Sequence, residues 1–113
     1  MPNAYKTVFL GDISSSAEEQ ILATAASTEK IVKELRFTNT TSSAVSFSCW
    51  IETTTAPTVH YHLAKDMTIP ANSSLNVVDN VLVIEPSQDA ATLKCQAGTA
   101  TAVDVVCSYL EIT

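Results

Sequence analysis

The chain has 113 residues, 46% of them apolar and 16% charged, with a net charge of −6. It is too apolar for a disordered segment and fits one domain, residues 1–113, able to bury a modest core. Nucleic acid and anionic membrane surfaces both call for clustered Lys and Arg, whereas the six basic residues here are scattered and, after residue 38, only Lys65 and Lys94 remain. The longest apolar runs are too short to span a bilayer, and residues 1–6 do not read as a signal peptide.

Thr and Val are abundant and Gly is scarce, with only Gly11 and Gly98. That balance favours strands joined by turns built on Asn, Asp, Ser and Pro. Residues 5–10 read as a first strand, with residues 1–12 an N-terminal arm or edge strand. Residues 14–27 have two readings. Ser16 and Glu19 match a capping box, with Ile21, Leu22 and Ala25 on one helical face; alternatively, a loop leads to a short strand at 20–24, the reading we favour. From residue 31, Ile31, Lys33, Leu35 and Phe37 alternate with Val32, Glu34, Arg36 and Thr38. Val45, Phe47, Cys49 and Ile51 alternate with Ser46, Ser48, Trp50 and Glu52. The two runs look like a hairpin around residues 39–43.

A loop at 53–58 precedes a strand in which Val59, Tyr61 and Leu63 alternate with His60, His62 and Ala64. Residues 75–78 and 81–85 flank Asp79-Asn80, a tight-turn signal. Leu93, Cys95 and Ala97 form a strand ending near Gly98. Residues 102–112 form the last strand, with a bulge expected at Val105-Val106. About nine short strands result, the pattern of an all-β, antiparallel two-sheet β-sandwich, jelly-roll-like. The expected core is Leu35, Phe37, Val45, Phe47, Leu63, Leu75, Val83, Leu93, Leu110 and Ile112.

Chemistry is sparse. Cys49, Cys95 and Cys107 are odd in number and widely spaced, so they read as buried reduced thiols rather than a disulfide framework. His60 and His62 share one face of a strand and could begin a metal site with Asp66. With no further His to complete it, two exposed polar residues is the better reading, and no metal or cofactor is expected. No Ser or Cys sits in a nucleophile motif, and both His lie on one strand, so an enzyme is not expected. Trp50 falls on the polar-parity face beside Ser46 and Ser48, as an exposed interface anchor or as a lid on the sheet. Asn39 and Asn72 begin glycosylation-type triplets that read as turns.

Four stretches carry a resemblance: residues 6–12 (KTVFLGD), 31–40 (IVKELRFTNT), 61–74 (YHLAKDMTIPANSS) and 103–112 (VDVVCSYLEI). Together they resemble the small β-sandwich structural proteins of tailed-bacteriophage particles, over most of the chain. Such proteins carry an I-x-K-x-I-R-x-x-N strand, a T-I-P-A-x-S turn and a V-x-V-S-x-L-E-I last strand. The chain departs where family members often carry V-P-A-G-K-T, having Ala25-Ala26-Ser27-Thr28-Glu29-Lys30 instead. The motifs are structural, and no functional residue carries over. The resemblance implies a virion component made in the host cytoplasm and lodged on the particle exterior. The favoured role is a capsid decoration (cement) protein that binds the major capsid protein or other virion subunits at subunit junctions, as a homo-oligomer with a trimer favoured. The alternative is a neck, tail or fibre component, including a carbohydrate-binding module. The expected contact residues are Tyr5, Val8, Leu10, Trp50, His60 and His62.

Overall fold

The computed structural model describes residues 3–23, 27–53, 59–85 and 92–112. Nine strands follow one another: β1 (Ala4–Leu10), β2 (Glu19–Ala23), β3 (Glu29–Asn39), β4 (Val45–Glu52), β5 (His60–Ile69), β6 (Ser74–Asn76), β7 (Leu82–Ile84), β8 (Thr92–Ala97) and β9 (Val103–Ile112). They form two antiparallel sheets. The first runs β1-β9-β3-β6 with β7 also on β3; the second runs β2-β8-β4-β5. Because β6 and β7 both pair with one edge of β3, they amount to a single interrupted strand. Counted so, eight strands follow jelly-roll order, switching sheets at every step except from β4 to β5, which pair in the second sheet.

The core lies between the sheets. Ile13, Val32, Leu35, Phe37, Phe47, Ile69, Ile84, Leu93, Val103 and Val105 are fully or almost fully buried there, with Phe37 stacked on Phe47 at 4.3 Å between ring centroids. A core of this kind holds by area removed from water and by close packing. Cys49, Cys95 and Cys107 are all free and buried.

Several expectations are corrected by bulges, each of which turns the following side chains over. In β3 the register slips between Val32 and Glu34. Val32 therefore faces inward where alternation pointed to Ile31, while Leu35 and Phe37 keep their inward places. The bulge expected at Val105-Val106 is absent, and β9 pairs with β1 without a slip. Val103, Val105, Cys107 and Tyr109 thus point inward, and Leu110 and Ile112 fall on the outer face. Val83 is likewise exposed.

Asp79-Asn80 does not make a hairpin. Asn76 Oδ1 accepts from Leu35 N and Val78 N, so its side chain carries the β3 edge across the gap between β6 and β7. The segment before β2 is a loop rather than a helix: Ser14 Oγ accepts from Ser16 N and Ala17 N in a hydroxyl turn, and β2 begins at Glu19.

With few glycines, the turns use other residues in the left-handed region. Asp12, Asn72 and Asn80 have positive φ, as do Ser27 and Thr101, and Asp66 takes it inside β5, where the β4–β5 register slips. Asn and Asp tolerate this region best. Gly98 serves a different need. A Cβ there would collide with the Ser46 side chain, and its N–H donates to Ser46 O at 2.7 Å.

Candidate contact surfaces

Two surfaces gather the residues singled out by sequence. The first is the outer face of the β1-β9-β3 sheet. Opposed residues of an antiparallel pair share a face. Tyr5 opposes Leu110, Leu110 opposes Ile31, and Ile31 opposes Val83, so four apolar side chains form one row across four strands. Phe9 opposes Val106 on the same face. Tyr5 is 80% and Phe9 73% exposed, and Val83 is also open to solvent.

Between these apolar groups lies a neutralised pair, Arg36 Nε to Glu34 Oε2 at 2.7 Å, with Arg36 also donating to Ser74 Oγ. Val8 and Leu10 occupy the inward positions of the same strand and pack partly buried against the core. Residues 4–10 are therefore a fully paired edge strand with outward aromatics. Sequence reasoning missed Phe9 because β1 is apolar on both faces beyond Thr7, so alternation could not say which parity faces water.

The second surface is the outer face of β4 and β5. Trp50 opposes His62 and Glu52 opposes His60. The Trp50 ring stacks on His60 at 5.1 Å and lies 5.5 Å from His62. Trp50 does point to the outer face, as its parity requires. The expectation of an exposed anchor is corrected, because the two imidazoles cover the indole and leave it only 4% exposed. Register slips in the β4–β5 pairing flank Cys49 and set the strand that carries both His beside the Trp.

An ion network borders this stack. His60 Nε2 lies 2.9 Å from Glu52 Oε1, and Lys94 Nζ lies 3.2 Å from Glu52 and 3.4 Å from Glu18. Burial works against the Glu52 carboxylate. The Lys94 ammonium, the Trp50 indole and His60 outweigh it and hold its pKa below the ordinary 4.5. Glu52 first, and then Glu18, raise the Lys94 pKa against the opposing effect of burial. The ligand atoms of Glu18, Glu52 and His60 lie within 4.8 Å of one another. Lys94 already supplies a cation to both of these carboxylates, and neither His62 nor Asp66 belongs to the group. A shallow groove of about 410 Å³ lies alongside, lined among others by Ser46, Ser48, His62, Lys65, Asp66 and Gln96.

The three thiols are poor nucleophiles. Burial pushes each up to about 12, with Glu19 and Cys49 adding to the effect at Cys95. Among the described residues, no helix is long and apolar enough to cross a membrane.

No family model matches the sequence, and no curated protein matches it. Among solved structures, the chain is similar to a protein of Bacillus endospore appendages, a family of disulfide-linked pili. The TM-score is 0.54 at 12% identity, over 98% of this chain and 88% of that one. A chain of infectious bursal disease virus, Gx strain, gives a TM-score of 0.44 at 10% identity, over 98% of this chain and 33% of that one. At 12% identity the likeness to the appendage protein is one of fold: a small all-β sandwich of two antiparallel sheets.

Proposed function

We propose that this chain is a non-enzymatic structural protein of a tailed-bacteriophage particle, a decoration protein that binds the shell at subunit junctions. The observation that carries the reading is the outward apolar row Tyr5–Leu110–Ile31–Val83, exposed at Tyr5 and Val83 and half-buried between them, with the exposed Phe9 on the same face. Large exposed apolar patches on a small soluble domain mark contact sites. The four strands hold 7, 10, 11 and 3 residues; at about 3.3 Å per residue and about 4.8 Å between strands they present roughly 500 Å² in projection. That is more than half of the ~800 Å² per partner that a stable interface takes.

The paired Glu34 and Arg36 let the centre of the face be covered without stranding a charge. The partners of this face are further virion subunits, the major capsid protein among them, and copies of the chain itself. The net charge of −6 suits a place on the particle exterior, away from packaged DNA. The jelly-roll order and the four sequence stretches support the same reading. Sugar binding in a tail is less well supported, because the one Trp lies under His60 and His62 and offers no open ring face.

The test is light scattering of the purified chain, alone and mixed with isolated shells of its particle. Saturable attachment to shells is expected, and it should be lost in the double variant Tyr5→Ser with Phe9→Ser. Wild-type protein that leaves the shells bare would overturn the reading.

A further inference from the structure

Cys49 on β4 and Cys95 on β8 stand directly opposite one another in the second sheet, and both side chains are fully buried. In an antiparallel pair, hydrogen-bonded and non-hydrogen-bonded positions alternate, and the latter bring the Cα atoms closer, to about 4.5 Å. The phase of this ladder is fixed by one bond. Gly98 N donates to Ser46 O at 2.7 Å, which makes Ser46 and Gly98 a hydrogen-bonded pair. The register runs unbroken from Phe47–Ala97 to Glu52–Thr92. Stepping two residues along gives Ser48–Gln96 as the next hydrogen-bonded pair, and Cys49–Cys95 falls on a close, non-hydrogen-bonded position. Ala97 N agrees with this phase, since it points away from β4 and donates to Ser14 O.

A Cα separation near 4.5 Å lies within the range that a disulfide spans, and opposed side chains at such a pair leave the same face together. The third thiol is placed differently. Cys107 belongs to the other sheet, opposite Val8 and Leu35. Facing sheets stand about 10 Å apart, beyond disulfide reach without backbone movement.

We propose that Cys49 and Cys95 form a reversible cross-strand disulfide that staples β4 to β8 when the protein passes into an oxidising exterior, and that Cys107 stays free. The oxidant is a small-molecule disulfide such as glutathione disulfide. The thiolate of one cysteine attacks it and releases one glutathione thiol. The second cysteine then attacks the mixed disulfide and releases the other. Two cysteine S–H bonds and the glutathione S–S bond break, while one protein S–S bond and two glutathione S–H bonds form; both protons and both electrons end on the released glutathione thiols. With both thiols buried and their pKa raised to about 12, the reaction waits on local opening of the sheet. Formation and reduction of the staple both go through that opening, so each is slow in the folded protein and faster where the sheet is loosened.

The experiment incubates the full chain with a glutathione redox buffer in urea below the unfolding midpoint, followed by intact mass and peptide mapping. The expected product is lighter by two hydrogens, links the peptides holding Cys49 and Cys95, and keeps one reactive thiol of the original three. Its melting temperature rises by on the order of 10 °C, since the bridge closes a long loop in the unfolded chain, and dithiothreitol reverses the rise. Cys107→Ala should form the bridge unchanged. Glutathione adducts without a bridge, a bridge that includes Cys107, or a Cys49–Cys95 bridge that lowers the melting temperature would each overturn the proposal.

Discussion

Asn39 shows how much one side chain can fix. It is fully buried at the end of β3, the one buried polar residue among those described. Its Nδ2 donates to Ser43 O, Ile69 O and Pro70 O, and its Oδ1 accepts from Thr41 N and Thr41 Oγ1. It thereby ties the turn after β3 to the end of β5. Asn39→Ala strands the buried Ile69 carbonyl and removes the bonds that hold the turn, and chemical denaturation should show a loss of about 2–4 kcal/mol. The sequence read Asn39 as an ordinary turn residue, because a triplet of Asn and Thr carries no mark of burial.

Thr101 is the converse case. It holds φ at 57° on an exposed turn, a region that penalises a β-branched side chain. Thr101→Gly should raise stability by about 0.5–1 kcal/mol in the same measurement, the relief of strain outweighing the added freedom of the unfolded chain.

At the scale of elements, β4 and β5 are fastened on their outer side by the Trp50–His60–His62 stack and the ion network around Glu52. The Glu52 pKa is lowered on folding, so the pair contributes stability above the ordinary value of 4.5. That contribution is lost as pH falls through the lower folded value. Glu52→Gln should therefore cost up to ~1 kcal/mol above about pH 4.5, where the wild-type contribution is fully present, and flatten the acid limb so that the two proteins converge as pH falls in thermal melts across pH.

Strand existence was largely legible in sequence, because alternation over five to ten residues is a strong signal: β1, β3, β4, β8 and β9 lie where it placed them, while β5 begins there and runs on past Ala64 to Ile69. Facing was less legible. A bulge such as the one at Lys33 inverts everything on one side of it, and nothing in the local composition marks it. The interrupted edge strand was unreadable for a related reason. A turn signal at Asp79-Asn80 suits a hairpin and a gap equally well, and only the shared partner β3 distinguishes them. The candidate contact residues divide along the same line. Tyr5 stands on the open face, Val8 and Leu10 face the core, and Phe9 becomes visible only when β1 is paired with β9.

For the whole molecule, the outer face of the β1-β9-β3 sheet is the surface a structural protein would use. Its aromatic members project from an edge strand, so they can be removed without opening the core. Tyr5→Ser with Phe9→Ser should leave the melting temperature within a few degrees, as expected for exposed positions. The most direct measurement is the light-scattering mass of wild type and this double variant over a wide range of protein concentration. Wild type should rise above the 12.1 kDa of one chain as concentration increases, while the variant stays at the mass of a monomer. A wild-type protein that remains a monomer throughout, or a variant that associates as strongly as wild type, would contradict that role for the face.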